Sequence, residues 1–267
     1  RATIDKCPNL KAIAVLATGY NVADYEYAKE KGIPVLNVPV YGTDNVSQFA
    51  VSLLLEVCSH IGHHSDSVHK GEWASNVDWC YWHFPMIEVS GKTAGIIGLG
   101  NIGSRIANAA LALGMDVTGY DPYMSVESAW RISSEVRHAE DLGTIYRNSD
   151  YILIQLHLTD KTRGMLGADA FRQMKDGVLL INTARGGLIA EDDLREALLS
   201  GKVGGAAVDV VSTEPMPRDH PLFGLETCII TPHVAWASLE SRRRLMDMAC
   251  ENVRAFLAGH TIHDVTR

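Results

Sequence analysis

Paired cysteines, long apolar runs and an excess of positive charge are all missing from this sequence. Its five cysteines are widely spaced, with no Cys-x-x-Cys pair. This spacing argues against a disulfide framework or a zinc site and indicates a reducing compartment such as the cytoplasm. No apolar stretch approaches the ~18 residues that span a bilayer, and the first residues do not resemble a signal peptide. With a formal net charge of −8, neither a membrane nor a nucleic acid is an expected partner.

What is present is an alternation of short apolar runs with helix-like segments. Runs that are apolar throughout suit strands buried on both faces of a parallel sheet. Strands are predicted at 12–16, 35–38, 94–97, 116–120, 151–155, 178–182, 206–210 and 228–231. Helices are predicted at 22–31, 44–68, 102–113, 139–147, 191–200 and 238–258. This alternation predicts an α/β protein with a doubly wound parallel sheet.

A glycine-rich turn, GLGNIG, follows the predicted strand 94–97 and opens an amphipathic helix. Gly98 would allow a tight turn, Gly100 would let backbone N–H groups approach a pyrophosphate, and Gly103 would let the helix pack closely on the sheet. The helix N-terminus would then face the negative phosphates. An ordinary tight turn is the plainer explanation, but the strand, the helix and the acidic residue that follows favour a dinucleotide site.

That acidic residue is Asp121, which closes the next predicted strand. Its carboxylate would accept hydrogen bonds from both hydroxyls of an adenosine ribose, and its charge would repel a 2′-phosphate. The expected cofactor is therefore NAD rather than NADP.

An arginine, a carboxylate and a histidine follow three later strands. Arg185 could hold a planar carboxylate with its fork of donors and polarise a carbonyl group. His233 could give a proton to a carbonyl oxygen, while Glu214 holds the imidazole and favours its charged form. These groups suffice for hydride transfer to a 2-keto acid. Taken singly, each has a plainer explanation: a surface arginine, a Glu-Pro turn and a loop histidine.

Four motifs together carry a family resemblance. GLGNIG, NTARGG, DVVSTEP and TPHVAWA, in this order and spacing, resemble the D-2-hydroxyacid dehydrogenase family, and the branch they resemble most is the glycerate dehydrogenases, or hydroxypyruvate reductases. The resemblance covers essentially the whole chain. It implies that Arg185, Glu214 and His233 are catalytic, and that Asp209 bonds the nicotinamide carboxamide. It also implies further cofactor contacts from the pyrophosphate loop and the cofactor cleft, at Asn101, Ile102, Thr159, Thr183 and Ala184.

The resemblance further implies two α/β domains with a cleft between them. Residues 70–235 would form a Rossmann cofactor domain. Residues 1–69 would form a smaller, flavodoxin-like substrate domain, to which a C-terminal helix at 236–267 returns. Family members carry additional residues before the point where this sequence begins, so the substrate domain is expected to be incomplete at its N-terminal end.

The stretch LATGYNVAD, 16–24, resembles the substrate-carboxylate loop of the same family. The backbone N–H groups of Thr18, Gly19 and Tyr20 would form an anion-binding nest. Asn21 could instead serve as the cap of the next helix.

The stretch 71–90 contains three tryptophans and has no clear period. It could pack on its own domain or, as buried aromatics often do, against a second subunit; the second interpretation predicts a homodimer. A histidine pair upstream, His60 and His64, has the spacing of helical metal ligands but lacks the glutamate of an HExxH motif. An exposed helix face explains it better, and no metal is expected.

The expected activity is NAD-dependent reduction of a short 2-keto acid, hydroxypyruvate or glyoxylate, to the D-2-hydroxy acid. Trp236, three residues after His233, would border the substrate and limit its size, unless it only packs at a hinge or subunit contact. Two alternatives remain: a dehydrogenase for another 2-keto acid, phosphite or formate, and an NAD-sensing binding protein that resembles the C-terminal-binding corepressors. Formate oxidation needs no acid-base pair such as His233 and Glu214.

Overall fold

The computed structural model describes residues 1–267 and divides them into two compact units. The smaller unit consists of residues 1–45 and 236–267, and the larger unit of residues 46–235. Each unit is described by itself.

Helices and strands alternate along the chain. In order they are α1 (Ala2–Asp5), β1 (Ile13–Ala14), α2 (Tyr25–Glu30), β2 (Val35–Leu36), α3 (Thr43–Ser59), α4 (Ile61–His69), β3 (Thr93–Ile97), α5 (Asn101–Ala112), β4 (Asp116–Tyr120), α6 (Val126–Arg131), β5 (Arg137–His138), α7 (Leu142–Asn148), β6 (Tyr151–Ile154), α8 (Ala168–Gln173), β7 (Val178–Asn182), α9 (Glu191–Leu199), β8 (Val203–Val208), β9 (Cys228–Ile230) and α10 (Leu239–Leu257). A 3-10 turn occupies Gly186–Leu188. The short elements α6, α8 and β5 are not predicted from the sequence. None of the helices is long and apolar enough to cross a membrane.

Seven parallel strands form one sheet in the larger unit, in the order β5-β4-β3-β6-β7-β8-β9. The chain winds outward from β3 through β4 to β5 and then returns to β6 on the other side of β3. This reversal places a topological switch point between β3 and β6, where ligands of open α/β sheets bind beyond the carboxyl ends of the strands. The predicted doubly wound parallel sheet is confirmed.

Both faces of this sheet are covered, which explains why its central strands are apolar along nearly their whole length. All residues of β6 and β7 are buried. One apolar cluster lies with α7, α8 and α9, and a second lies with α3 and α5. Strands in the centre of a parallel sheet covered by helices on both faces bury their side chains on both sides, so these strands show no polar alternation in the sequence; β4 and β5, nearer the edge, are partly exposed.

Helix α3 packs on the sheet of the larger unit. Leu53, Leu54 and Val57 are buried in the cluster that includes residues of β3 and β6, and the Cys58 thiol donates to the Tyr151 hydroxyl at 3.5 Å. The compact units therefore divide between residues 45 and 46, whereas the sequence places the boundary between 69 and 70. An amphipathic pattern shows that a helix has a buried face but not which core receives it.

The single helix predicted at 44–68 is wrong, because the chain breaks at His60. This residue has a left-handed conformation, with φ of 48°, and separates α3 from α4. The Glu56 carboxylate accepts the backbone N–H groups of Ile61 and Gly62, at 3.2 and 3.0 Å, which satisfies donors at the start of α4. His60 and His64 therefore do not share an uninterrupted helix face, and the structure contains no group of three or more side chains suited to a metal ion.

The smaller unit is built around the parallel pair β1 and β2. Two apolar clusters fill it, one around Val15, Ala28 and Val35, the other joining Val38 to α10. Three side-chain hydrogen bonds attach the C-terminal segment: Ser241 Oγ donates to the Tyr41 carbonyl, Arg244 Nε donates to the same carbonyl, and Asn252 Nδ2 donates to the Asn37 carbonyl. Residues 236–267 thus lie in one compact unit with residues 1–45.

Candidate active site

The glycine turn joins β3 to α5 in a space too small for side chains at two of its positions. Gly98 has φ of +97°, and a Cβ there would lie 2.5 Å from the Gln155 carbonyl oxygen. A Cβ on Gly103 would lie 1.9 Å from the Gly98 carbonyl oxygen. The turn at Gly98 and the close approach of α5 at Gly103 therefore both require glycine.

Gly100 differs from these two glycines because a Cβ there would meet no protein atom within 4 Å. The open space lies at the N-terminus of α5, of which Gly100 is the N-cap residue. Backbone N–H groups at a helix N-terminus and the positive end of the helix dipole favour phosphate. The turn therefore fits a dinucleotide pyrophosphate that passes close to Gly100.

Asn101 and Ile102, the other predicted residues of this turn, start α5. The Asn101 side chain is exposed and its Oδ1 accepts a bond from Arg131 Nη1 at 2.5 Å. Ile102 is half-buried and packs against the apolar cluster. Their backbone positions place both at the proposed phosphate site, but their roles toward the cofactor stay predictions.

Asp121 lies directly after β4 and faces the glycine turn. Its Oδ2 accepts the Leu99 N–H at 2.9 Å, and its Oδ1 accepts the Tyr123 N–H at 2.9 Å. Each of the two bonds occupies one lone pair of a different oxygen. Each oxygen can therefore accept one further hydrogen bond. The position and remaining capacity suit the predicted contact with ribose hydroxyls.

Arg185 lies on the loop after β7. The conformation of this loop depends on Asn182 and Gly186, which the sequence did not identify as site residues. The buried side chain of Asn182 donates to the Arg185 carbonyl at 2.9 Å and accepts the Ala184 N–H at 3.0 Å. A Cβ on Gly186 would lie 1.9 Å from the Val211 carbonyl carbon, so only glycine allows this loop to reach the next one. A polar residue at the end of the apolar run VLLIN was the sequence signal for Asn182.

The half-buried Arg185 donates from Nη1 to the Ala184 carbonyl at 2.7 Å. Beside it, Thr183 is buried and its hydroxyl accepts Gln155 Nε2 at 2.7 Å. Thr159 is exposed and closes a turn with Thr162, whose hydroxyl accepts the Thr159 N–H at 2.8 Å. The predicted cofactor contacts of Thr159, Thr183 and Ala184 stay predictions.

His233 and Glu214 form a close pair. Nδ1 of His233 lies 2.7 Å from Oε2 of Glu214, and the two side chains are 43% and 37% exposed. The other carboxylate oxygen of Glu214 accepts the Val211 N–H at 3.1 Å. His233 has φ of 54°, and its N–H donates to the Asp209 carbonyl at 2.9 Å. The structure therefore brings together the histidine and the carboxylate that the sequence paired.

Asp209 is 1% exposed. Its carboxylate accepts the Thr231 hydroxyl at 2.6 Å, the Val234 N–H at 2.9 Å and the Ala235 N–H at 2.8 Å. A buried carboxylate is stable only with such donors, and here they anchor the loop that carries His233. The sequence did not predict this anchoring role of Asp209. Its contact with the nicotinamide carboxamide stays a prediction.

The predicted substrate-binding residues at Thr18, Gly19, Tyr20 and Trp236 lie in the smaller unit. The Thr18 hydroxyl donates to the Val38 carbonyl at 2.8 Å. The rings of Tyr20 and Tyr25 meet edge to face at 5.0 Å, and Trp236 packs edge to face on Tyr41 at 6.3 Å. Their roles toward a substrate stay predictions.

The alternative role for Asn21, as the cap of the following helix, is wrong. Helix α2 has Asp24 as its N-cap, and the Asp24 carboxylate accepts the Tyr27 N–H at 3.0 Å. The cap lies immediately before the first helical residue, as a side-chain acceptor must in order to reach the third residue of the helix.

Comparisons with known proteins find relatives along the whole chain. The sequence model of the D-isomer specific 2-hydroxyacid dehydrogenase, NAD binding domain, matches residues 51–235. A hydroxypyruvate reductase of Blautia hydrogenotrophica is 49% identical over 267 residues, which are 100% of this chain and 82% of that protein. A glycerate dehydrogenase of Methylorubrum extorquens is 40% identical over 96% of this chain and 79% of its own length. The crystal structure of a D-lactate dehydrogenase from Aquifex aeolicus complexed with NAD and lactic acid has a TM-score of 0.82 and 30% identity, over 97% of this chain and 80% of that one.

The two glycines of the turn should separate cofactor binding from stability. Gly100→Ala adds a methyl group in open space, so the free energy of unfolding should fall by no more than about 1 kcal/mol, the cost of alanine at an N-cap, while the Kd for NADH rises about tenfold or more, or ~1.4 kcal/mol. Gly103→Ala forces α5 away from the sheet and should lower the free energy of unfolding by about 1–3 kcal/mol. Urea denaturation and NADH fluorescence titration measure both. Unchanged NADH affinity in Gly100→Ala would place the phosphates elsewhere.

Proposed function

The chain belongs to the D-isomer specific 2-hydroxyacid dehydrogenase family, and from this premise we propose that it reduces a short 2-keto acid, hydroxypyruvate or glyoxylate, with NADH as the reductant. The observation that carries the proposal is the pair His233 and Glu214, 2.7 Å apart, at the carboxyl ends of parallel strands. The names of the hydroxypyruvate reductase and glycerate dehydrogenase relatives support the choice of substrate.

The proton of the reaction is assigned to His233. Bound NADH supplies the hydride that adds to the carbonyl carbon. The carbonyl oxygen then needs one proton to become a hydroxyl group, and His233 gives it through Nε2. Because Nδ1 lies against Glu214 Oε2, the carboxylate holds the ring in one orientation and favours the imidazolium form. In the oxidative direction His233 takes the proton back.

The carboxylate of the substrate is assigned to Arg185. Its guanidinium can bond both carboxylate oxygens at once, which orients the neighbouring carbonyl group. The loop contacts of Asn182 and Gly186 place this residue beside the 209–214 segment. Arg185 and Glu214 therefore both lie at the carboxyl edge of the sheet, on the loops that follow the adjacent strands β7 and β8.

Substrate size is assigned to Trp236. It follows His233 by three residues in the chain, so its indole would restrict the group attached to the carbonyl carbon to hydrogen or hydroxymethyl. The proposal predicts that hydroxypyruvate is a better substrate than phenylpyruvate, and that Trp236→Ala narrows the difference in kcat/KM.

The activity is tested with a panel of 2-keto acids and one pair of histidine variants. NADH oxidation should be fastest with hydroxypyruvate or glyoxylate. His233→Ala should lower kcat by ~10²–10⁴, the usual loss for a general acid, while the Kd for NADH changes little. His138→Ala, an exposed histidine on β5 of the same unit, should behave as wild type. Full activity in His233→Ala, or no turnover with any 2-keto acid, rejects the proposal.

Cofactor choice is assigned to Asp121. A 2′-phosphate would meet this carboxylate, and juxtaposed like charges are strongly unfavourable. Wild-type enzyme should prefer NADH over NADPH, and Asp121→Ser should narrow that preference by at least about tenfold, or ~1.4 kcal/mol. Asp116→Ser, at the opposite end of β4, is the matched control. Equal use of the two cofactors by wild type would contradict the assignment; initial rates at several cofactor concentrations decide it.

We also propose that the aromatic stretch 71–90 packs against a second copy of the chain. It contains no helix or strand after residue 71, and Trp79 is 85% exposed, with Trp73, Trp82 and Met86 exposed beside it. Large exposed aromatics in one short stretch are typical of interfaces. Analytical ultracentrifugation at micromolar concentration should show a dimer, and Trp79→Ser with Trp82→Ser should shift it toward monomer. Trp130→Ser, equally exposed outside the stretch, should not. A monomeric wild type rejects the proposal.

A further inference from the structure

A buried polar cluster lies behind the active-site loops and takes no part in the proposed chemistry. Glu191, the first residue of α9, accepts the Ser212 N–H on Oε1 at 2.7 Å. Its Oε2 accepts the Ser212 hydroxyl and lies 3.0 Å from Nε2 of His220. The side chains of Glu191 and His220 are only 9% and 3% exposed.

The hydrogen bonds of His220 define the tautomer of its ring. Nδ1 of His220 accepts the Leu222 N–H at 3.3 Å, so the ring proton lies on Nε2 and points to Glu191. The Glu191 carboxylate therefore accepts three donors, two of them from Ser212. Cys228 also lies near Glu191; burial, with a smaller contribution from this carboxylate, raises the pKa of its thiol to about 12, so the thiol stays neutral. Asp192 and Asp219 line the solvent-side cavity next to the cluster.

Ser212 is connected to Glu214 and His233 through the preceding residue, Val211. Val211, its neighbour, donates its N–H to Glu214 Oε1 at 3.1 Å, and the other oxygen of Glu214 lies 2.7 Å from His233 Nδ1. The carbonyl of Val211 packs against Gly186, beside Arg185. The segment 211–214 is thus held at Ser212 by Glu191 and at Val211 by the Arg185 loop.

We propose that Glu191 is a positioning residue of the active site: by holding Ser212, its carboxylate fixes the 211–214 segment so that Glu214 reaches Nδ1 of His233 and sets the tautomer of that ring. A carboxylate suits this task because it accepts the backbone N–H and the hydroxyl of one residue together, as an apolar side chain cannot. The inference rests on the proposed function only for the role of His233 as proton donor; the coupling of Glu191 to the His233 ring does not depend on it.

A purely structural role for Glu191 would predict a different outcome. A carboxylate that only attached α9 to the 212–222 segment would change the free energy of unfolding and leave the His233 ring as it is. The tautomer of His233 and the division of an effect between kcat and KM therefore separate the two roles.

The first test reads the His233 ring directly in the protein without cofactor. Ring ¹⁵N chemical shifts, assigned by comparison with His233→Ala, should show the Nδ1–H tautomer in wild type. Glu191→Ala should lose this preference as Glu214→Ala does, and Glu191→Gln should lose it in part. Asp192→Ala, which removes the exposed charge one residue along the same helix turn, should keep it. A wild-type His233 signal in Glu191→Ala overturns the proposal.

The second test reads turnover of hydroxypyruvate. Glu191→Ala should lower kcat about 10- to 100-fold, the range that a misplaced catalytic group produces, with KM and the Kd for NADH within about twofold of wild type. The double variant Glu191→Ala with Glu214→Ala should be no slower than Glu214→Ala alone, because both changes remove the same contact, that of Glu214 with His233. Losses that multiply, or an unchanged kcat, overturn the proposal.

A second variant and the ring ¹⁵N measurement keep the role of Glu191 testable if Glu191→Ala does not fold or if the proposed function fails. If Glu191→Ala does not fold, Ser212→Ala, which removes only the hydroxyl bond, should shift the His233 signal in the same direction by a smaller amount; no shift in it overturns the proposal. If wild type turns over no 2-keto acid, the proposed function fails, while the ring ¹⁵N measurement still decides the role of Glu191.

Discussion

Backbone segments approach one another so closely at the carboxyl edge of the sheet that no side chain fits between them. Gly98 meets the carbonyl of Gln155, Gly103 meets the carbonyl of Gly98, and Gly186 meets the carbonyl of Val211. The contacts at Gly98 and Gly186 bring the loop after one strand against the loop after the next strand, and the contact at Gly103 holds α5 against its own turn. The cofactor turn, the arginine loop and the segment that carries Glu214 thereby share one edge of the sheet. Side-chain chemistry at this edge depends on these three positions having no Cβ.

Carboxylates at this edge are used in three different ways, and their surroundings explain the differences. Asp209 is almost fully buried and is bonded by three donors of the 231–235 loop, so it acts as a fixed anchor. Glu214 is partly exposed and shares its oxygens between a backbone N–H and His233, so it holds the imidazole ring of His233 to the backbone of the 211–214 segment. Asp121 bonds two N–H groups of the cofactor turn with capacity left over. The same functional group thus anchors a loop at Asp209 and orients a histidine at Glu214, and at Asp121 it has the capacity that the proposed ribose contact needs.

Much of this arrangement could be predicted from the sequence, and the remainder shows why sequence patterns stop short. Apolar runs that end in Gly98, Arg185 and Asp209 identify buried parallel strands, and parallel strands place their ends together. The pairing of Glu214 with His233 followed from chemistry alone. The close approach at Gly186 could not be predicted, because it depends on which loops become neighbours in space. The break at His60 was missed because a left-handed residue leaves the apolar periodicity nearly intact.

The smaller unit has a property that follows from its two distant chain segments. Side-chain hydrogen bonds join Asn37 and Tyr41 to residues of α10 that lie 215 and 200 positions later. During synthesis the first segment emerges well before its partner exists, whereas the larger unit is made of one continuous segment. Domains generally fold as units while the chain is still growing. The larger unit can therefore fold before α10 has been made, whereas residues 37 and 41 gain their bonds to α10 only once that helix has left the ribosome.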